Sequence, residues 1–342
     1  MLREFSERIR AELPPLQRIC VAGPGAIGIT LATRMALNGL QVTIAARGQS
    51  LNVIQENGLQ LTDVYGKHTV RVPVAEGPDI PPQDVVFLSS KAQDLASIAS
   101  WTQNLIGPDT IIVPVINGIP WWYFEGEAGQ YSGRNVKSVD PDGCLKRLLP
   151  SAHVIGCVAM FTADRPAPGT ARSLNPLRLI IGEIDNEPRV RTEALAKILI
   201  RSGIETRVSE RVRDPLWTKV IGNLVFNPLS VATGATLREL AGDSSLAHVS
   251  RQLLNEALLV AASFGARVEM SPRQLLDFTK SMGDAKTSML QDYEMGRPLE
   301  LAAIVDAVLE FADLQGLPMP FTQSVTTITR YRSLTSTGQR SG

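Results

Sequence analysis

The chain predicts an α/β fold, with a parallel sheet covered by helices in its first half and an all-helical domain in its second. Three observations predict it. Short apolar runs alternate with helix-length stretches from Arg18 to about Val115, as in a sheet with helices on both faces. A glycine-rich turn joins the first run to the first helical stretch. From Glu187 onward, strand-like runs give way to mainly helical patterning.

Arg18–Ala22 (RICVA) is short, mostly apolar and followed by glycine, which suits a buried parallel strand. A helix is expected from Ala26 to Asn38, stopped by Gly39. Gln41–Ala46 is the next strand, and Thr69–Val74, Asp84–Leu88 and Thr110–Val115 are further ones. A helix from Gln93 to Leu105 separates the last two. Trp121–Gly143, rich in glycine, aromatic and polar residues, reads as a loop excursion that ends by about residue 147. Ser151–Phe161 and Leu177–Gly182 add two strands, and Ser245–Phe264 is the longest apolar-periodic helical stretch. The polar stretch Asp185–Arg189, with Pro188, is the expected boundary between a nucleotide-binding domain (1–187) and a helical substrate domain (188–335).

Composition limits the functions available. With 342 residues the chain is long enough for about two domains, and 44% hydrophobic content allows a core in each. Lys plus Arg equals Asp plus Glu at 34 each, so no charge field points to nucleic acid or to an anionic membrane. The three cysteines form no CxxC pair, which reads as thiols in a reducing cytoplasm. The three histidines are scattered, and no metal site is expected. Residues Met1–Arg10 are too charged for a secretory segment, and no apolar run approaches a membrane span.

Gly23-Pro24-Gly25-Ala26-Ile27-Gly28 fits G-x-G-x-x-G, between an expected strand and an expected helix. In that context Gly23 permits the tight turn, Gly25 lets the backbone approach a pyrophosphate, and Gly28 lets helix and strand pack closely. The helix N-terminus then offers free N–H groups and a partial positive charge to phosphate. The alternative is a plain strand-to-helix turn; dinucleotide binding by a Rossmann-type domain fits the context better. NAD-binders usually carry an acid at the end of the second strand. This chain has Ala45-Ala46-Arg47-Gly48, and a guanidinium suits a 2′-phosphate, so NADP is the expected cofactor. A solvated surface arginine is the bland alternative.

In the second half, Lys219, Asn223 and Asn227 are spaced i, i+4, i+8, one stripe of a helix, among apolar neighbours Val220, Ile221, Leu224, Val225 and Phe226. Such a stripe can present an ammonium and two amides to a small polar ligand. Alone, Lys219 reads as a surface lysine and each asparagine as a cap or helix-end residue, but the apolar neighbours leave little exposed face, so the stripe is expected to line a cleft. Pro228 restricts Asn227 and is expected to bend or end the helix.

Three stretches carry a family resemblance. Trp217–Leu229 resembles the ketopantoate reductase signature W-x-K-x-x-x-N-x-x-x-N-P-L. Ser288-Met-Leu-Gln-Asp292 precedes Gly296-Arg-Pro-Leu-Glu300, and Leu88-Ser-Ser-Lys91 and Val115-Ile-Asn-Gly118 end two strands. Together with the glycine motif they span roughly Arg18 to Pro320. The resemblance implies a Rossmann-type domain and a C-terminal domain like that of 6-phosphogluconate dehydrogenase. It implies NADPH-dependent reduction of 2-dehydropantoate to pantoate, in coenzyme A biosynthesis. Lys219 would be the general acid, Asn223, Asn227 and Ser288 would bind substrate, and Glu300 would bind the substrate hydroxyl and contribute to catalysis. Asn117 would lie near nicotinamide and substrate, and Lys91 would contact the cofactor. Structural alternatives are an Asn-Gly turn for Asn117, a surface lysine for Lys91, and a helix-start residue for Glu300, expected in a helical first turn after Pro298. The aromatic run Trp121–Phe124 either walls the pocket or packs in the core. A homodimer is among the expectations.

The chain departs from the family's E-x-D-x-x-N-G pattern, with Ala302, Val305 and Asp306 in place of Asp, Asn and Gly. That puts the exact keto acid in question more than the reaction type. Two other readings stand beside it: a related NADP-linked reductase, either a β-hydroxyacid dehydrogenase or a paralogue for another 2-keto acid, and a protein that senses NADP without turnover.

Overall fold

A computed structural model describes residues 16–336, and the charged segment Met1–Arg10 lies outside them. The chain forms two compact units. One comprises residues up to Ile116 with Phe124–Asn135 and Gly143–Val212; the other comprises Asn117–Tyr123, Val136–Asp142 and the chain from Arg213 onward.

In the first unit, β1 (Arg18–Ala22) leads into α1 (Ala26–Leu37), then β2 (Gln41–Ala45) and α2 (Gly48–Asn57). A hairpin follows, β3 (Leu59–Asp63) and β4 (Gly66–Val70), then the short β5 (Val74–Ala75). Next come β6 (Gln83–Leu88), α3 (Leu95–Trp101) and β7 (Ile106–Pro114). Five strands make an all-parallel sheet in the order β5-β2-β1-β6-β7. Its centre reads as continuous apolar sequence because both faces are covered: Ile19, Val21, Ile44, Val85, Phe87, Ile112 and Val113 are buried.

The remaining strands differ from the expected set. The sequence suggests a strand over Thr69–Val74; instead the chain pairs antiparallel with β3 as far as Val70, and the edge strand β5 starts only at Val74. After α4 (Cys144–Leu148) and β8 (Ile155–Ala159), the strands β9 (Asp164–Ala167) and β10 (Thr170–Ser173) complete a second sheet, β4-β3-β10-β9. It packs on α1 and encloses Asp63, whose carboxylate pairs with Arg34 Nε at 2.9 Å and His68 Nε2 at 3.2 Å. The helix expected over Gln93–Leu105 is shorter. It stops at Trp101, where Thr102 turns its hydroxyl onto the Ile98 carbonyl at 2.8 Å.

The boundary expected near Asp185–Arg189 also moves. Past it, α5 (Val190–Arg201) leads into β12 (Glu205–Val208), which lies parallel to β11 (Arg178–Glu183). This crossover belongs to the first unit, and the division falls between Val212 and Arg213.

The second unit is helical. Its axis is α6 (Arg213–Thr233), against which α8 (Ser244–Ser263), α10 (Ser288–Glu294) and α12 (Pro320–Ser336) pack. Side chains fix the helix starts: Thr236 caps α7 (Leu237–Gly242), Asp243 caps α8, Ser271 caps α9 (Pro272–Ser281), and the Glu256 carboxylate accepts the first N–H groups of α12. Pro228 does not end α6. The helix runs five residues further, to Thr233, and α12 supplies donors to its last turns: Thr329 to the Pro228 carbonyl and Arg332 to those of Val231 and Ala232. Among the described residues no helix is long and apolar enough to cross a membrane.

Candidate active site

On the first unit, the glycine turn has the form a phosphate needs. Gly23 has φ +94° and Gly25 is the N-cap of α1, with no side chain capping the helix. The first bond within α1 runs from Ile29 N to Gly25 O, which leaves the N–H groups of Ala26, Ile27 and Gly28 outside the helical ladder. A Cβ on Gly28 would lie 2.4 Å from both Gly23 O and Ser89 Oγ, so only glycine lets α1 sit this close to β1 and β6. Arg47, exposed at the end of β2, donates to Ser97 Oγ at 3.1 Å and lies 5.9 Å from the Trp101 ring. Lys91, half-buried, follows β6, which ends at Leu88.

On the second unit, α6 is continuous through Lys219, Asn223 and Asn227, which therefore form one stripe about 6 Å apart per step. Lys219 and Asn223 are half-buried, and Asn227 is buried with 4% exposure. The Asn227 Nδ2 has no hydrogen-bond partner among the described residues. A buried amide donor without a partner costs on the order of 1–3 kcal/mol, so an acceptor from a ligand would be strongly favoured there. Ser288 is exposed at the first position of α10, which packs on α6.

Glu300 stands just before the helical segment that opens at Leu301, and not in its first turn as expected. The segment begins with a π-helical turn at Ala302–Asp306, which leads into α11 (Ala307–Leu314). Glu300 is buried, and its Oε2 accepts from Asn117 Nδ2 at 3.3 Å. The Asn-Gly pair is more than a turn. Gly118, at φ +81°, lies so close to the π turn that a Cβ would sit 2.3 Å from Ala303 O, and the same oxygen accepts from Ile119 N at 2.8 Å.

The aromatic run mostly packs in cores. Trp121, Trp122, Tyr123 and Phe124 are all buried, and Tyr123 stacks edge-on with Trp217, Phe264 and Phe311. Trp217 Nε1 donates to Tyr123 Oη at 2.6 Å, and Arg213 donates to the Tyr123 carbonyl. Sequence reasoning did not single out Arg213; only its place on the buried side of α6 could have marked it. Among the departures, Val305 is fully buried and Asp306 pairs with Arg330 at 2.5 Å. No group of three or more His, Cys, Asp or Glu that could hold a metal occurs among the described residues.

Comparison with known proteins covers both halves of the chain. Residues 19–186 match the family model described as ketopantoate reductase PanE/ApbA, and residues 211–332 match its C-terminal counterpart. A curated 2-dehydropantoate 2-reductase from Mesorhizobium japonicum is 35% identical, over 92% of this chain and 97% of that protein. Among solved structures, a candidate ketopantoate reductase from Ralstonia solanacearum aligns with TM-score 0.89 and 35% identity, covering 94% and 98% of the two chains. A 2-dehydropantoate 2-reductase from Geobacter metallireducens aligns with TM-score 0.81 and 25% identity, covering 92% and 99%.

Proposed function

The chain belongs to the ketopantoate reductase family, and from that premise we propose that it reduces 2-dehydropantoate to pantoate with NADPH. The observation that carries this reading is the polar stripe Lys219–Asn223–Asn227, which ends in a buried amide donor awaiting an acceptor. Bound NADPH would supply the hydride for the keto carbon. The glycine turn, with the uncapped N–H groups of α1, fits the pyrophosphate, and Arg47 fits the 2′-phosphate. Lys91 is assigned to cofactor contact, and the protein to the cytoplasm.

Lys219 donates a proton to the carbonyl oxygen as negative charge develops there, and the ammonium stabilises that charge beforehand. Asn223, Asn227 and Ser288 hold the carboxylate and orient the acid. Glu300 accepts the substrate hydroxyl's hydrogen bond on a carboxylate that Asn117 already orients. A second carboxylate on the substrate would face Glu300 across low dielectric, which disfavours dicarboxylates.

The test is kcat/KM for ketopantoate against 2-ketoisovalerate, which lacks the hydroxymethyl group, followed by the fall in NADPH absorbance. Ketopantoate should win clearly, because the shorter acid lacks the hydroxyl that would give Glu300 an added hydrogen bond, and Glu300→Gln should shrink the gap. Equal rates would assign another keto acid, and no turnover of either would refute the reading.

A further inference from the structure

Two hydroxyls outside the stripe join its deepest residue to Ser288. Ser230 is fully buried and lies one helical turn past Asn227 on α6. Its Oγ is 2.7 Å from the Asn227 carbonyl and 2.6 Å from Thr287 Oγ1. Thr287, also buried, is the N-cap of α10 and accepts from Leu290 N at 3.1 Å.

Proton counting orders these bonds. A carbonyl only accepts, so Ser230 must spend its one proton on Asn227. The Ser230–Thr287 contact then has its proton from Thr287, whose remaining lone pair takes the Leu290 N–H. One directed chain results: Leu290 N–H to Thr287, Thr287 to Ser230, Ser230 to the Asn227 carbonyl. Every hydroxyl donates once and accepts once, so the network is satisfied without water.

We propose that Ser230 and Thr287 are positioning residues that set the placement of Ser288 against the Asn227 amide. The inference rests on the assignment of both residues to the keto acid. Pro228 has no N–H to give the Leu224 carbonyl, so α6 lacks one ladder bond in the turn that carries Asn227. The hydroxyl chain adds a separate tie at the Asn227 main-chain carbonyl and extends it to α10. Neither hydroxyl touches the reacting atoms, so its loss should act on binding of the acid and not on the chemical step.

Thr287→Val keeps the side-chain shape and deletes the hydroxyl, Thr287→Ser keeps the hydroxyl, and Ser230→Ala cuts the chain while leaving the α10 cap in place. KM for ketopantoate should rise about tenfold in Ser230→Ala and Thr287→Val, the worth of one buried hydrogen bond, with kcat within about twofold and NADPH affinity unchanged. Thr287→Ser should restore KM, and the double variant Ser230→Ala/Thr287→Val should be no worse than the weaker single one. Hydrogen exchange across Ser288–Glu294 should also speed up in Ser230→Ala, a readout that needs no substrate. An unchanged KM in both folded single variants, or additive effects in the double, would overturn the proposal. If the wild type turns over no keto acid, the functional reading has failed instead, and the exchange measurement still decides: unchanged exchange in Ser230→Ala removes the link.

Discussion

Gly118→Ala tests the link between Asn117 and the π turn. The substitution carries two separable penalties. Gly118 has φ +81°, where a Cβ costs about 1–2 kcal/mol. That Cβ would also lie 2.3 Å from Ala303 O and 2.4 Å from Ala303 C, so the backbones must part by about 1 Å to reach normal contact. Parting them breaks the Ile119 N–Ala303 O bond and orphans a buried N–H, at about 1–3 kcal/mol. Together the change should cost about 2–5 kcal/mol. Gly234 is the control: its φ is +79°, and a Cβ there meets nothing within 4 Å, so Gly234→Ala should cost only the conformational part, about 1–2 kcal/mol. Urea unfolding followed by tryptophan fluorescence suits the comparison, because Trp121, Trp122 and Trp217 lie in the helical unit and only Trp101 in the other. Gly118→Ala should also lower kcat/KM at least tenfold by moving Asn117 from Glu300, whereas Gly234→Ala should leave it unchanged. Equal destabilisation and equal activity in the two variants would refute the argument.

Two further substitutions address the cofactor and the proton. Arg47→Ala should weaken NADPH binding by about one to two decades and NADH binding far less, since a charge-assisted contact is worth roughly 1.5–3 kcal/mol; equal weakening, or a wild type that prefers NADH, would remove NADP as the assigned cofactor. Lys219→Ala should lower kcat by roughly 10²–10⁴-fold with NADPH affinity nearly unchanged, and a near-normal kcat in the folded variant would take the proton-donor role from it.

The parts of the fold legible in the sequence were those with short-range signals. The parallel sheet announced itself because strands buried on both faces are apolar throughout, and the glycine turn marked where the first strand meets α1. The second sheet was hidden for a physical reason. β3 carries Asp63, a charge that breaks the apolar pattern, yet the residue is buried because Arg34 and His68 come from neighbouring elements to pair with it. Its partner β10 lies more than 100 residues away, and such pairing leaves no local trace. The domain boundary slipped because polar, proline-bearing Asp185–Arg189 resembles a linker. In the structure it is a tight corner, held by Arg189 on Asp185 and by Arg189 and Arg191 on buried Glu183.

The candidate site divides in the same way. The spacing of Lys219, Asn223 and Asn227 was readable because it follows the helical period, but Ser230 and Thr287 are single hydroxyls whose meaning appears only when α10 lies on α6. The excursion at Trp121–Gly143 is the more instructive case. Its aromatics looked equally suited to a pocket wall, yet Tyr123 is a core residue tied by Trp217 and Arg213. Further along, Glu310 takes the N–H groups of Lys137 and Ser138, so the segment is fastened to the helical unit at both stretches that belong to it. Trp217 thus explains itself two residues before Lys219: it anchors the same segment that brings Asn117 to Glu300. What the sequence presents as a loop excursion is in part core: Tyr123, just after the Asn117–Gly118 pair that meets Glu300 and Ala303, packs through Trp217 and Arg213, and Glu310 holds Lys137 and Ser138.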